Sequence, residues 1–586
     1  MKSHSAWLDN LIPLRGRVND WQLAGWEPPF PAERGLGCRL LADVPIPMPD
    51  GIKLSADVYT PARSGRYPAV VQFAAYNRDL HTTGFPKGTN EIGSPPIIAD
   101  RGYVQVVVTA RGTGRSQGEP LPWHCEPEID DYVRCIEWAA GQPWCDGDIV
   151  MFGTSYYGMN QAAVAARRPP MLRAFFANEI CTDFRRHVFR YGGHPGNDFV
   201  SLWAGANFTP AEIARYVPPV LRAALSHLIN RPWAWHLMHP FIDRVMAAFK
   251  RRKVAEHVLP WYLAMLTDSY DSTTPPLWDG PWRDLQQIEV PFVVVQNPGL
   301  IALHQFGAYD LFAHAGTPAS HKRLIVGPAE YELPVLSWQL EALAFFDHVV
   351  KKAANGYERL PRVRYWCKGA DTWRSADGVP ASDAVALRLH PTSGSERLLQ
   401  EQAPGASNVT WLSVPRGAAV LPGLDKLEPQ QLAFGWTAPR DVELFGPVTL
   451  NLRYLCSEID SYIVARLDCV DRTGRRTPVC MGHLRPAMRS IMEAASSPGE
   501  LAIDPATHAP LVPNEAVTLR FSLTPAATRI AAGERLELQI ASRTDLLHLP
   551  MRDGYVVPDL PVPPYFARNT ILCGAETFLE MSVRSA

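Results

Sequence analysis

The sequence predicts an α/β protein with a mainly parallel sheet, joined to a C-terminal all-β domain. Two observations predict this. Short apolar runs of buried-strand type alternate with helical segments in the first part of the chain, which is typical of a parallel sheet wound with helices. Beyond residue 357, strand-sized pieces follow one another without helices, as in a β sandwich or jelly roll. At 586 residues the chain is long enough for several domains.

The first apolar runs end at polar residues suited to a binding site. Tyr67–Phe73 leads to Tyr76, and Tyr103–Val108 leads to Arg111. A helical segment, Ile129–Ala140, has acidic residues at its start, where they favour the helix dipole. Because ligands of open α/β sheets bind beyond the carboxyl ends of the strands, Tyr76 and Arg111 are expected near the site.

The next strand predicts a nucleophile. An apolar run ends in Gly153-Thr154-Ser155-Tyr156-Tyr157-Gly158, and an alanine-rich helical segment follows. Strand, sharp turn and helix around a serine are the pattern of a nucleophile elbow. The glycines on either side of Ser155 are expected where the strand and helix backbones crowd together. Ser155 is therefore the candidate nucleophile.

The remaining pieces predict the domain organisation. Helical spacing between residues 209 and 259 indicates an all-α insert, strands are expected at Phe292–Gln296 and Arg323–Val326, and a helix at Trp338–Ala354 should stop at Asn355-Gly356. The predicted divisions are an N-terminal extension (1–38), an α/β domain in two parts (39–180 and 286–356), a helical cap (181–285) and a jelly-roll domain (357–586).

Composition excludes several function classes. A net charge of -2 provides no general field for nucleic acid or acidic membranes. The N-terminus has no signal-peptide core and no long apolar run occurs, so we expect neither secretion nor a membrane span. Ten scattered cysteines without C-x-x-C spacing predict reduced thiols and a cytoplasmic protein. No H-E-x-x-H, P-loop or dinucleotide motif indicates a metal or a nucleotide cofactor, and none is expected. The expected partner is a small-molecule substrate, with a homo-oligomer as an open possibility.

Several of these motifs resemble those of bacterial serine hydrolases, the family of cocaine esterase, X-Pro dipeptidyl-peptidases, α-amino acid ester hydrolases and glutaryl acylases. The matching pieces run from about residue 40 to 580: Met48–Pro61, Tyr76, Arg111–Glu119, Ile136–Trp138 with Gln142–Gly147, Gly153–Gly158, Gly327-Pro328, Gly446–Val448 and Gly533–Ser542. The resemblance implies an α/β-hydrolase domain, an inserted helical cap and a C-terminal jelly roll. It also implies that the Tyr76 hydroxyl and the backbone N–H of Tyr156 bind the oxyanion.

The chain departs from the family pattern at the base and its orienting acid. Four residues after Gly327, where the family has histidine, stands Tyr331. The family aspartate falls on Leu300 or Ala302, depending on the frame. A rival frame that uses Asp310 leaves too short a connection to Gly327.

Three explanations follow from this departure. A substitute base could come from His304, just after the broken aspartate turn, from Glu330, or from His81, while Tyr331 lines the pocket. Alternatively, Ser155, Tyr76 and the Tyr156 amide hold a carbonyl or enolate during acyl transfer, a lyase step or a cyclisation. Or the protein is catalytically silent and binds a ligand or partner. The sequence favours a serine-centred enzyme acting on an ester, amide or thioester of a small molecule.

Overall fold

A computed structural model gives the structure of the chain. It describes residues 36–76, 91–119, 121, 124–183, 186–187, 191–193, 284–296, 304–327, 334–380, 384–391, 397–414, 430–504, 507–543 and 566–585. Nearly all of the predicted extension and of the predicted helical cap lies outside these residues.

A ten-stranded sheet forms the first part of the molecule. Its strands are β1 (Cys38–Pro47), β2 (Lys53–Pro61), β3 (Tyr67–Ala74), β4 (Val104–Thr109), β5 (Cys145–Thr154), β6 (Leu172–Asn178), β7 (Phe292–Gln296), β8 (Lys322–Val326), β9 (Val363–Cys367) and β10 (Thr372–Ala376). They lie in the order β1-β2-β4-β3-β5-β6-β7-β8-β9-β10. Neighbours from β4 to β9 in this order pair in parallel, while β1, β2 and β10 pair antiparallel at the two ends. The predicted parallel-rich α/β sheet is confirmed.

Helices cover both faces of this sheet. They are α1 (Pro95–Asp100), α2 (Glu126–Ala140), α3 (Tyr156–Ala166), α4 (Gly307–His314) and α5 (Pro334–Val349). In β7, Phe292 and Val294 belong to one apolar core and Val293 and Val295 to the other. Since alternate strand residues point to opposite faces, a strand buried on both sides has a continuous apolar sequence, which explains why Phe292–Gln296 was predicted correctly.

The second part of the chain is all β. Its strands are β11 (Ala384–His390), β12 (Arg397–Gln400), β13 (Ser407–Ser413), β14 (Leu432–Thr437), β15 (Val442–Cys456), β16 (Ile463–Val470), β17 (Arg476–Leu484), β18 (Val517–Ile530), β19 (Arg535–Ala541), β20 (Ala567–Cys573) and β21 (Phe578–Ser585). They form one hydrogen-bonded system of eleven strands around a separate apolar core. The predicted C-terminal all-β domain is confirmed.

The first sheet extends past the predicted boundary at residue 357. Strand β9 pairs in parallel with β8, and β10 pairs with β9, so the sheet ends at Ala376. The two strands form a hairpin that follows α5 and a short 3₁₀ turn, and a local pattern does not reveal which sheet such a hairpin joins. The all-β domain therefore begins at β11.

Helix α5 also differs from its prediction. It begins at Pro334 and ends at Val349, not at Ala354. Asn355 still contacts the helix, because its Nδ2 donates a hydrogen bond to the Ala344 carbonyl at 2.7 Å. Gly356 has a φ of 79° and precedes a short 3₁₀ turn, so its left-handed conformation belongs to that turn and not to the helix end.

All ten cysteines are free thiols, as predicted, and nine of them are buried. Among the helices within the described ranges, none combines the length and the apolarity that crossing a bilayer requires.

Candidate active site

The turn between β5 and α3 holds Ser155 in a strained conformation. Its φ is 54° and its ψ is -120°, a region that side chains other than glycine rarely adopt. Strain of this kind costs about 1–3 kcal/mol and persists only where the surroundings enforce it. Here the Ser155 N–H donates to the Asn178 carbonyl at 3.0 Å, and the Ser155 carbonyl accepts from Gly158 at 2.8 Å and Met159 at 2.7 Å. The turn is a nucleophile elbow.

The two flanking glycines are required by close backbone approach. A Cβ on Gly153 would lie 2.5 Å from the Cβ of Tyr157, and one on Gly158 would lie 2.8 Å from the Asn178 carbonyl oxygen. Neither neighbour is the mobile end of a side chain. The crowding expected from the sequence is therefore present at both positions.

His304 contacts the nucleophile. Its Nε2 lies 3.1 Å from the Ser155 Oγ, within hydrogen-bond reach for proton transfer. His304 lies between β7 and α4, just ahead of the helix, with a φ of 62°. The structure places this substitute-base candidate beside Ser155, whereas the other two, Glu330 and His81, and the predicted pocket residue Tyr331 lie outside the described residues.

Burial controls the charge of His304. Its side chain is 2% exposed. Burial, followed by the nearby His187 and His124, lowers the pKa of His304 to about 3. The imidazole is therefore neutral at physiological pH, the form that can accept a proton. Among the described residues, its Nδ1 is buried without a hydrogen-bond partner.

The two predicted oxyanion donors lie at the same turn. Tyr76 follows β3 and is 3% exposed, with its ring centroid 5.5 Å from that of Tyr156 and 5.8 Å from that of Tyr157. Tyr156 is the first residue of α3, where backbone N–H groups point away from the helix. Its side chain is directed elsewhere, because the hydroxyl donates to Glu128 Oε1 at 2.6 Å. Only the backbone of Tyr156 is thus suited to the predicted role.

Asp310 does not orient His304. It lies on α4, and both carboxylate oxygens have other partners: Oδ2 accepts from the Thr182 hydroxyl and Oδ1 pairs with His314 Nδ1 at 2.7 Å. Burial would raise the pKa of Asp310, but the hydrogen bond from His314 and the charge of Arg186 lower it. The Asp310 carboxylate therefore belongs to a buried ionic cluster with Arg186 and His314.

Two family definitions match the chain. Residues 50–330 match the X-Pro dipeptidyl-peptidase (S15 family), and residues 355–576 match the X-Pro dipeptidyl-peptidase C-terminal non-catalytic domain. The chain belongs to this family of serine hydrolases.

The chain aligns with its relatives over most of its length. It is 25% identical to a candidate serine esterase of Mycobacterium bovis, over 87% of this chain and 91% of the relative. It is 23% identical to the cocaine esterase of a Rhodococcus strain, over 77% of this chain and 84% of the relative. A CocE/NonD family hydrolase from Staphylococcus aureus shares the fold, with a TM-score of 0.73, 21% identity and coverage of 97% and 100% of the two chains.

A polar network that no sequence motif predicted supports the nucleophile elbow. His124 Nδ1 lies 2.6 Å from Asn160 Oδ1 on α3, and its ring centroid is 4.2 Å from that of Tyr156. Its backbone N–H donates to Glu128. Burial raises the pKa of Glu128 to about 8, although the bonds from Tyr156 and the His124 backbone act against the rise. No motif marked these residues, because they meet only in the folded chain.

A second buried acid underlies the elbow. The Glu91 carbonyl accepts from the Thr154 N–H at 3.1 Å. Burial, and then the charge of Glu179, raises the pKa of Glu91 well above its usual value. Burial and the charge of Glu179 thus both disfavour the ionised form of the Glu91 carboxyl.

Proposed function

We propose that the protein is a serine hydrolase that acts on an ester, amide or thioester of a small molecule, with Ser155 as nucleophile and His304 as general base. The observation that carries the proposal is the 3.1 Å contact between Ser155 Oγ and His304 Nε2. A general base must lie within hydrogen-bond reach of the proton that it removes, and His304 does.

The proposed reaction proceeds through an acyl-enzyme. Ser155 Oγ attacks the substrate carbonyl while its proton passes to His304 Nε2, and the tetrahedral oxyanion accepts hydrogen bonds from the Tyr76 hydroxyl and the Tyr156 N–H. His304 then gives the proton to the leaving group as the carbon–heteroatom bond breaks. Water then attacks the acyl-enzyme carbonyl while His304 Nε2 accepts its proton, and the acid is released as that proton returns to Ser155 Oγ. Each oxyanion donor contributes on the order of 3 kcal/mol to transition-state stabilisation.

The base works without a carboxylate on Nδ1 in the described part of the chain. For Nε2 to accept a proton, Nδ1 must carry the other one, and a buried N–H without an acceptor costs about 1–3 kcal/mol. The low pKa of His304, set by burial and by His187 and His124, makes its protonated form still more costly. We therefore expect a slower enzyme than one with a complete Ser-His-Asp triad.

A weak base favours a second candidate reaction at the same site, acyl transfer. An amine or thiol acceptor needs less help from a base than water does, so the acyl-enzyme would react with it first. Lyase or cyclisation chemistry would use the same oxyanion donors without an acyl-enzyme. Product analysis after acyl-enzyme formation separates these reactions.

Two names among the relatives suggest the first substrates to try. Cocaine esterase is named for an ester, and X-Pro dipeptidyl-peptidase for a peptide bond after proline. A panel of aryl esters, aryl thioesters and X-Pro anilides therefore covers the substrate classes proposed for this chain.

Labelling with a fluorophosphonate tests the proposal. The reagent reacts with an activated serine, and intact mass reports the adduct. We expect one adduct on the wild type, none on Ser155→Ala, and one on the control Ser320→Ala, which alters a serine in the short 3₁₀ turn before β8. A wild type that takes up no label and binds a ligand without consuming it would instead indicate the catalytically silent alternative.

A further inference from the structure

A short segment of the all-β domain packs against the helix that follows His304. The segment is Ser496–Glu500, between β17 and β18. A Cβ on Gly499 would lie 2.6 Å from the Cβ of Tyr309 on α4, so only glycine allows this approach. The backbone of Ser496 interacts with His314 at the end of the same helix. The helix is thus held from outside by the second domain.

Glu500 carries a buried negative charge into this contact. It is 7% exposed, and its Oε2 lies 2.9 Å from His187 Nε2 and 3.4 Å from a terminal nitrogen of Arg186. The contact with Arg186 is an ion pair without hydrogen-bond geometry, whereas Arg186 Nε donates to Asp183 at 2.9 Å. Removing one partner of a buried ion pair is costly, because the other charge stays buried without compensation.

The hydrogen bonds of His187 determine its tautomer. The Thr182 N–H donates to Nδ1 at 3.3 Å, so the ring proton lies on Nε2 and is donated to Glu500. The His187 ring is fully buried, and its centroid lies 6.1 Å from that of Phe306, two residues after His304. Glu500 therefore fixes the orientation of a ring that packs on the base-bearing turn.

A second contact from the all-β domain supports the same turn. The rings of Phe306 and Tyr191 stack with centroids 5.7 Å apart. The Tyr191 ring also contacts the ring of His483 on β17, with 4.8 Å between the two centroids. The Arg485 N–H donates to the Gly192 carbonyl at 2.7 Å. The His304 turn therefore packs through Phe306 on Tyr191, and the all-β domain contacts Tyr191 through His483.

We infer that Glu500 is a positioning residue for the active site, by which the all-β domain holds His304 against Ser155 through His187 and Arg186. The inference rests on the proposed role of His304 as base. It gives the domain a part in the reaction, although the matching family definition describes that domain as non-catalytic. Packing from a second domain would take over the orienting task of a triad acid, which the described residues do not place on His304 Nδ1.

The test measures the kinetics of fluorophosphonate labelling at Ser155 in the full chain, with the limiting rate kinact separated from the half-saturating concentration KI. We expect Glu500→Gln to lower kinact roughly ten- to a hundredfold with KI unchanged, because a displaced base affects the reaction and not binding. Glu500→Asp, which keeps the charge, should show a smaller loss and replaces Glu500→Gln if that variant does not fold.

Glu443→Gln is the matched control. Glu443 is also a buried carboxylate of the all-β domain that reaches the first sheet, where it accepts from Tyr365 and lies 3.3 Å from Arg374. Glu443 contacts β9 and β10 and not the His304 turn. The kinact of Glu443→Gln should therefore stay within about twofold of the wild-type value.

The outcomes separate the inference from the proposed function. A wild type without label overturns both. A labelled wild type with an unchanged kinact in Glu500→Gln overturns the inference alone. Equal losses in Glu500→Gln and Glu443→Gln, or a change confined to KI, also overturn it, since they indicate general domain docking or pocket shape.

Discussion

The Ser155 Oγ lies 3.1 Å from the Nε2 of His304, a residue 149 positions further along the chain. Ser155 follows β5 and His304 follows β7, two strands separated in the sheet by β6. Both residues have positive φ angles. The two partners are therefore held by backbone turns at one edge of a parallel sheet, where the carboxyl ends of the strands meet.

Tyr76→Phe tests the oxyanion site. The change removes one hydroxyl and keeps the ring that packs on Tyr156 and Tyr157. We expect kcat for an aryl ester to fall about 10²- to 10³-fold with little change in thermal stability. Steady-state kinetics and a melting curve measure the two effects.

Tyr132→Phe is the control for that experiment. Tyr132 is also fully buried, and its hydroxyl donates to the Val71 carbonyl at 2.7 Å. Its loss should lower the free energy of unfolding by about 1 kcal/mol and leave kcat unchanged. An unchanged kcat in Tyr76→Phe would show that the Tyr76 hydroxyl does not stabilise the oxyanion.

The pH dependence of labelling should reflect the low pKa of His304. Only the neutral imidazole accepts the Ser155 proton, and burial with His187 and His124 lowers the pKa to about 3. The labelling rate should therefore stay constant as the pH falls from 8 to about 5. A rate that halves near pH 6.5, the ordinary value for histidine, would contradict the burial of the base.

The same shift predicts a pH-dependent stability. Between the folded pKa of about 3 and the unfolded value of 6.5, the unfolded state binds a proton that the folded state does not. The free energy of unfolding should therefore decrease as the pH falls below 6.5, by about 1.4 kcal/mol per pH unit for this group. Urea unfolding of the wild type and of His304→Gln should differ in this slope.

Gly307→Ala tests whether close packing of the turn that carries His304 positions the base. A Cβ at this position would lie 2.5 Å from the Cα of Cys181 and closer still to the Ile180 carbonyl oxygen. Because both neighbours are backbone, the turn must move. We expect a loss of about 1–3 kcal/mol in the free energy of unfolding, together with slower labelling of Ser155.

Gly405→Ala is the matched control, since a Cβ there meets nothing within 4 Å. Both its stability and its labelling should match the wild type. If Gly307→Ala loses stability but labels at the wild-type rate, the turn does not position the base.

The sequence predicted the fold well wherever burial leaves a local pattern. Strands such as Phe292–Gln296 are buried on both faces and therefore apolar throughout, and the elbow glycines follow from backbone crowding within six residues. The hairpin of β9 and β10 was assigned to the wrong domain, because its pairing with β8 is not visible in its own residues.

The site was predictable only in part, for the same reason. Ser155 has a motif, whereas His304 has none and was one candidate among several. Its selection depends on how close His304 lies to Ser155 in the folded chain, which no local spacing encodes. Glu500 and His187 were missed, since they acquire meaning only when the all-β domain packs against α4.

The rate of Ser155 labelling in His304→Gln, compared with His321→Gln, tests the central claim most directly. His321 is an exposed histidine before β8 and serves as the matched control. We predict that His304→Gln lowers the labelling rate at least about 10²-fold while the protein stays folded, and that His321→Gln leaves it unchanged. Labelling of His304→Gln at the wild-type rate would contradict the assignment of His304 as the base.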